Sequence, residues 1–322
     1  MKSGKVSESI LKRAVIKQMS SKYKNIKSSA AIGNDAALFV VSENSMLLTS
    51  TETIIEDYKY QKGRALHRAA NNVLAAGGTP RTASISITLP TSALESDLRS
   101  LFKEYVDVAK SLNVVVTGGH TEVSEEIKLP VVTVTIVGET KKEYSPKNIE
   151  AGFDIVLSKA VGLEGSFLLA GKQMDFFKTR FSESYIGRAL DYINDISIFD
   201  EAKVAIEHGV TAMHDLSENG IFGALWELGE VAGCGLSVNI KDININQETI
   251  ELCEYFDINP YKIPSGGALL MVTQDGNGLV EALKNAGIYA AVIGKITEGN
   301  DRVIINEEET RYLEPPRIQK QF

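Results

Sequence analysis

The strongest constraint on the fold is a strand pattern that alternates without a fault and is followed at once by a long amphipathic helix. The stretch TASISITLP at 82–90 has apolar side chains at its odd positions through 89 and hydroxyl side chains at its even positions through 88. Successive side chains of a strand point to opposite faces, so this pattern predicts a half-buried strand. Residues 93–112 then carry apolar side chains at helical spacing, and NVVVTGG at 113–119 predicts a further strand. These elements predict helices packed on a sheet.

The same mixture of helices and strands extends along the whole chain, in two halves. The first half adds predicted helices over 7–22 and 62–76 and the strand VVTVTIVG at 131–138. The stretch ETKKEYSPKNIEAG at 139–152 is polar and holds a proline and a glycine, which is typical of a linker. We therefore predict an α+β (mixed α/β) chain with domains over 1–145 and 146–322, each long enough to bury a core.

Composition excludes several classes of protein. The net charge of −8 and the scattered lysines and arginines argue against a nucleic-acid-binding surface. No apolar run approaches the roughly 18 residues that would indicate a membrane span, and the N-terminus has no apolar segment typical of a secretory signal. Cys234 and Cys253 are the only cysteines and have no CxxC spacing, which argues against a zinc site or disulfides and favours a cytoplasmic protein.

Two glycine-led stretches, GNDAALF at 33–39 and GGHTEV at 118–123, are candidates for a functional site. Glycine lets backbone N–H groups crowd close to an anion, and a nearby carboxylate can hold the magnesium that accompanies a nucleotide. Asp35 suits the metal role and Gly118 with Gly119 the phosphate role, while the alternative is a pair of ordinary loops. Neither a Walker-type nor a Rossmann glycine pattern is present, so a nucleotide site would be of another type.

Eight segments in order resemble the aminoimidazole ribonucleotide (AIR) synthetase superfamily over about residues 30–318. They are GNDAALF, LLTSTETI, NNVLAAGGTP, VTGGHTEV, SKAVGLEGSFLLA, MHDLSENGIFGALWELGEVAGCGL, PSGGALLMV and VIGKI. The superfamily includes selenophosphate synthetase, thiamine-monophosphate kinase and the HypE group of hydrogenase-maturation proteins. The block MHDLSENGIFGALWELGEVAG and the ending PPRI are most similar to the HypE group.

The resemblance implies a two-domain fold, with an N-terminal sheet domain that forms a homodimer and a C-terminal α/β sandwich. It also implies ATP and magnesium as cofactors and transfer of the γ-phosphoryl group to a small amide- or carboxylate-type acceptor. A maturation-type protein partner is implied by the HypE group.

The resemblance also implies the residues of the site. The implied cofactor-binding residues are Gly33, Asn34, Asp35, Gly118, Gly119, Thr121, Gly162 and Gly165. The implied metal ligands are Asp35, Glu52 and Asn72, and the implied catalytic residues are His120 and Asp215. Asn34, Asn72 and His120 stand where the family has acids, and Glu52 replaces a shorter Asp. Magnesium prefers carboxylate oxygens and histidine suits softer metals, so these replacements argue against the family's usual magnesium site.

Three functions remain open at the level of sequence. Gln319 stands where the HypE group has a cysteine, so the thiol-carrier reaction of that group cannot run on this chain. The protein is then an ATP-using enzyme with a separate acceptor, a non-catalytic nucleotide-binding or assembly partner, or a thiamine-monophosphate kinase-like enzyme. Two segments have alternative interpretations: Asp215 or Ser217 is either a site residue or a helix N-cap, and GLEGSF at 162–167 is either a phosphate loop or a helix start.

Overall fold

The computed structural model describes residues 3–19, 26–28 and 38–316 of the chain. They fall into two compact units, one within residues 1–74 and 78–142 and the other within 75–77 and 143–322. No helix in these described ranges is long and apolar enough to cross a membrane.

A mixed five-stranded sheet dominates the first unit. The elements up to residue 140 are β1 (Gly4–Lys5), α1 (Glu8–Ala14), β2 (Ile26–Ser28), β3 (Leu38–Phe39), β4 (Met46–Ile55), α2 (Tyr58–Gln61), α3 (Arg64–Ala75), β5 (Thr79–Pro90), α4 (Glu95–Ser111), β6 (Val115–Ser124) and β7 (Val131–Thr140). The strand order is β1-β6-β5-β7-β4, and β2 pairs with β3 apart from this sheet. β5 and β6 run parallel, and the other neighbours run antiparallel.

The two faces of this sheet differ in what covers them. On one face the side chains of Ile85, Ile87 and Val134 are buried beneath the helices. The other face presents hydroxyl and β-branched side chains, and threonine pairs across β4 and β7 are joined at 2.9 Å, Thr51 with Thr135 and Thr53 with Thr133. We call these the covered face and the open face; the open face is solvent-exposed in the described part of the chain.

A buried hydrogen-bond network ties the helices to the strand ends. The phenol of Tyr105 in α4 is fully buried and donates to Gln61 Oε1 at 2.9 Å. Gln61 Nε2 in turn donates to the backbone oxygens of Glu56 at 3.0 Å and Pro130 at 3.3 Å. One side chain therefore links α4 to the end of β4 and the start of β7.

Most of the predicted elements are confirmed, with shifted ends. The strand predicted over 82–90 spans Thr79–Pro90, and the helix predicted over 93–112 spans Glu95–Ser111. The helix predicted over 7–22 is wrong in length, because the α-helix ends at Ala14 and a 3-10 turn follows at Ile16–Gln18. β-Branched residues disfavour helix, and Val15 and Ile16 stand at this break.

The second unit is a seven-stranded sheet packed with helices. Its elements are β8 (Asp154–Ser158), α5 (Leu163–Lys172), α6 (Met174–Phe177), α7 (Glu183–Asp191), α8 (Phe199–His208), β9 (Ala212–Asp215), α9 (Gly220–Ala232), β10 (Gly235–Asn239), α10 (Gln247–Tyr255), β11 (Leu269–Thr273), α11 (Gly276–Asn285), β12 (Ala290–Thr297), β13 (Arg302–Asn306) and β14 (Glu309–Tyr312). The strand order is β14-β13-β10-β12-β8-β11-β9. Leu225 and Leu228 of α9 pack in one core with Ile155 and Leu157 of β8. The predicted mixed α/β fold is confirmed.

Candidate functional site

The structure brings together two of the predicted metal ligands, Glu52 of β4 and Asn72 of α3. Asn72 Nδ2 donates to Glu52 Oε1 at 2.8 Å and to Ser50 Oγ at 3.0 Å. Glu52 and Asn72 are half-buried on the covered face. One amide therefore fixes the carboxylate against α3, and because a carboxylate accepts about four hydrogen bonds, acceptor capacity remains for a ligand.

Gly118 and Gly119 lie within β6, in agreement with the strand predicted over 113–119, so the alternative interpretation of GGHTEV as an ordinary loop is wrong. The register with β5 runs from Ala83↔Val116 to Ser84↔Gly118, which leaves Thr117 as one extra residue in β6. This β-bulge carries Gly119 at a φ of +152°, and an added Cβ there would lie 1.8 Å from the backbone oxygen of Ile85. The glycine is needed for the close approach of β5 to β6.

His120 and Glu122 form a polar cluster on the open face. His120 Nε2 lies 3.3 Å from Glu122 Oε2, and Thr88 Oγ1 of β5 donates to Glu122 Oε1 at 3.3 Å. The His120 side chain is 50% exposed, whereas Thr121 is buried on the covered face. The cluster offers an imidazole, a carboxylate and a hydroxyl group to whatever contacts the open face.

The sheet separates this cluster from Glu52. Along one row of the sheet, Glu52 pairs with Val134, Val134 with Ile85, and Ile85 with Gly119. Paired residues share a face, so Glu52 lies on the covered side with the buried side chains of that row. His120 pairs with Ser86 in the next row and points to the opposite side. The structure thus does not bring His120 together with Glu52 and Asn72 within this chain.

At the Glu52–Asn72 pair, one carboxylate, that of Glu52, could bind the magnesium that the resemblance implies. Gly33, Asn34 and Asp35 lie outside the described residues. Among the residues that the structure does describe, no group of three or more His, Cys, Asp or Glu side chains could hold a metal ion. Magnesium commonly binds one or two carboxylates together with substrate phosphates and water. Glu52 with Asn72 therefore fits an ion that arrives with phosphates and does not fit a cage made by protein alone.

In the second unit, a histidine–carboxylate pair joins the sheet edge to α9. His214 Nε2 lies 3.0 Å from Glu227 Oε2, and this hydrogen bond lowers the pKa of Glu227 below its ordinary value. Asp215 follows at the end of β9 and is 6% exposed. His214 and Asp215 belong to the strand, and Asn219, not Asp215 or Ser217, is the N-cap of α9. Sequence reasoning missed Glu227, since its separation of 13 residues from His214 carries no signal.

The segment GLEGSF begins a helix. Gly162 is the N-cap of α5, with a φ of +79°, and its N–H donates to Ser265 Oγ at 2.8 Å. Gly165 lies in the first turn, where an added Cβ would be 2.8 Å from Ile263 Cδ1. Both glycines allow α5 to pack closely against the segment 263–265.

Comparisons with known proteins place this geometry in a family. Residues 33–140 match the N-terminal domain of AIR synthase related proteins, and residues 150–306 match the C-terminal domain. A putative hydrogenase expression/formation protein of Methanocaldococcus jannaschii is 22% identical over 316 residues, which cover 94% of this chain and 91% of that protein. Selenide, water dikinases and thiamine-monophosphate kinases also match.

Solved structures match over most of the chain. The hydrogenase maturation protein HypE in complex with ATP has a TM-score of 0.76 at 15% identity, over 97% of this chain and 95% of that chain. HypE in a HypE–HypF complex has a TM-score of 0.70 at 16% identity, over 86% of this chain and 92% of that chain. Because the two domain matches stand in order and together span most of the chain, the chain belongs to the AIR synthase-related family. It has the two-domain mixed α/β fold of that family.

Proposed function

We propose that this chain is a HypE-like protein that binds ATP and transfers its γ-phosphoryl group to a small amide- or carboxylate-type acceptor. The observation that carries the proposal is the Glu52 carboxylate, which Asn72 orients at 2.8 Å on the covered face of the sheet. The family match and the ATP-bound HypE structure support ATP as the nucleotide.

We assign roles to the residues from the family resemblance and, for the described residues, from their positions. Magnesium, when bound with the nucleotide, would neutralise charge on the transferred phosphoryl group. Glu52 would hold that ion, with Asp35 as a further ligand, and Asn72 would keep the Glu52 carboxylate in place. Gly33, Asn34, Gly118, Gly119, Thr121, Gly162 and Gly165 remain the proposed nucleotide-contacting residues, and Asp215 the proposed catalytic residue of the second unit. His120 is proposed to act from the open face.

We also propose that two copies pair through the open face of the five-stranded sheet. Leu47 and Ile55 of β4 are 54% and 59% exposed there, beside the threonine pairs of β4 and β7. An antiparallel face with exposed apolar and hydroxyl side chains suits sheet-on-sheet contact. In such a homodimer His120 and Glu122 would lie at the contact between copies.

A maturation-type protein partner and a cytoplasmic location complete the proposal. The HypE–HypF complex supports the partner. Two free cysteines, with Cys253 buried and Cys234 half-buried, fit a reducing compartment.

The decisive experiment is calorimetric titration of the purified protein with ATP, with and without magnesium, while phosphate release is followed in the same samples. We expect magnesium-dependent binding that weakens about tenfold or more in Glu52→Gln, because a charge-assisted ligand is lost. Asn72→Asp should strengthen the dependence on magnesium, because it adds a second carboxylate. Glu126→Gln, an exposed residue of the same unit, is the matched control and should leave binding unchanged.

Two other outcomes would redirect or reject the proposal. Magnesium-dependent binding without phosphate release, with candidate acceptors present, would favour the non-catalytic nucleotide-binding alternative. The lack of a group of three or more His, Cys, Asp or Glu side chains around Glu52 in the described ranges favours the same alternative. Absence of binding at millimolar ATP would reject both, and the search would turn to a protein partner.

A further inference from the structure

The second unit contains a cavity that none of the proposed ATP-site residues lines. Its volume is about 700 Å³, within the range of roughly 300–1,000 Å³ that small-molecule sites occupy. Its walls come from the first turn of α9, the segment 257–262 and the hairpin of β13 and β14. All of these lie within residues 143–322, so the cavity belongs to one compact unit.

A preformed aromatic wall lines this cavity. The rings of Phe222 and Tyr261 stack with centroids 5.2 Å apart and planes inclined by 10°. Both residues pack against the hydrophobic core of the unit, and Asn259 Oδ1 accepts the Tyr261 N–H at 3.0 Å, which fixes the turn. Tyr312, 68% exposed, adds a further ring to the lining. Flat aromatic surfaces bind flat rings well, because stacking adds to apolar burial.

The charged residues of the lining balance one another. Lys262 and Arg311 are matched by Asp257 and Glu314, and Arg311 Nη2 already donates to Glu309 Oε2 at 2.9 Å. The amide side chains of Asn259 and Asn306 complete the polar part of the wall. Burial raises the pKa of Tyr261, so its phenol stays neutral. A lining without net charge gives no advantage to a ligand that is an ion.

We infer that this cavity, called here the Phe222–Tyr261 cavity, binds an uncharged, planar heteroaromatic molecule that stacks on its aromatic wall and hydrogen-bonds to its asparagine amides. The site is independent of the proposed ATP chemistry, since it uses none of those residues.

The test uses caffeine as a neutral planar probe, with theophylline-7-acetate as its anionic counterpart. Binding to the full chain is measured by ligand-observed NMR titration, in the absence and in the presence of saturating ATP with magnesium. We expect caffeine to bind in the millimolar range or tighter, and ATP to leave this affinity unchanged. Tyr261→Leu should weaken caffeine about fivefold or more, since it removes a stacking ring, whereas Tyr261→Phe should retain binding.

Two further variants keep the test sound. Tyr312→Leu changes an exposed ring, so the variant is expected to fold, and it should also weaken caffeine binding measurably. Tyr289→Leu changes another exposed ring, one outside the cavity, and should have no effect. If caffeine does not bind at about 10 mM, its binding free energy is weaker than about 3 kcal/mol, and the inference is overturned. Equal binding of caffeine by Tyr261→Leu and the parent would also overturn it. Tighter binding of theophylline-7-acetate than of caffeine would overturn the assignment of an uncharged ligand.

Discussion

Gly119 adopts a backbone conformation in β6 that brings it against β5. Its φ is +152°, and an added Cβ would lie 1.8 Å from the Ile85 backbone oxygen. Backbone cannot yield as the end of a flexible side chain does, so even one methyl group must displace a strand.

We therefore predict that Gly119→Ala lowers the free energy of unfolding by about 2–4 kcal/mol, because it combines strain at positive φ with overpacking. Chemical denaturation of the variant and the parent measures the difference. Gly187→Ala is the control, since Gly187 lies in α7 and an added Cβ there would have no heavy atom within 4 Å; it should be neutral or stabilising by up to about 1 kcal/mol. Equal stability of Gly119→Ala and the parent would contradict the bulge geometry.

The His214–Glu227 pair predicts a dependence of stability on pH. The hydrogen bond from His214 lowers the pKa of Glu227 below its ordinary value of 4.5. A depressed carboxyl pKa stabilises the fold above 4.5, and this contribution is lost as the pH falls below that value. Glu227 is 42% exposed, so the effect should stay below about 1 kcal/mol.

The variant His214→Ala measures this contribution. It should be less stable than the parent at pH 6, and the difference should shrink as denaturation is repeated down to about pH 3. His208→Ala, which changes an imidazole whose nearest carboxylate oxygen is 3.8 Å away, is a matched control with a smaller pH-dependent difference. A difference for His214→Ala that does not change with pH would show that the pair acts only through packing.

At the residue scale, sequence could single out positions without explaining them. The resemblance placed Glu52 and Asn72 in one site, and the structure joins their side chains at 2.8 Å. It also grouped His120 with them, whereas the register of β6 turns His120 to the open face. The register depends on a bulge between two strands that are distant in sequence, and no local pattern encodes it.

Among the elements, α2 is short, but its Gln61 makes the contacts that hold α4 to two strands. The Tyr105 phenol is fully buried and donates to Gln61 Oε1 at 2.9 Å. We predict that Tyr105→Phe costs about 1–3 kcal/mol of unfolding free energy, because a buried acceptor loses its donor. Denaturant unfolding measures this, and Tyr289→Phe, at an exposed phenol, should change nothing. A neutral Tyr105→Phe would mean that another donor replaces the phenol.

Elements with strong periodicity were predictable, and those set by tertiary contacts were not. β5 and α4 agree with their patterns to within three residues at each end, because alternation and helical spacing are local properties. Gly118 and Gly119 left a loop open as the alternative for GGHTEV, since glycine commonly marks turns and loops. In β6 the same residue type instead serves a close strand contact, which only the partner strand reveals.

At the scale of the whole molecule, the open face of the first unit predicts self-association. Thr53→Arg would replace one threonine of the Thr53–Thr133 pair by a charged side chain. Burying this charge against a second copy would be costly. Sedimentation velocity should find a dimer for the parent and a shift towards monomer for this variant. Ser100→Arg, on the exposed side of α4, should remain dimeric. A monomeric parent would rule out pairing through this face.

The bulge at Thr117 works on β6 as a frameshift works on a coding sequence. A strand has a period of two, so one inserted residue exchanges the inward and outward sets of every position after it. If Thr117 instead paired with Ser84 and no residue bulged, His120 would pair with Ile87 and Glu122 with Leu89, whose side chains are buried beneath the helices. The chemistry offered on the open face of this sheet therefore depends on a single extra residue three positions before the histidine.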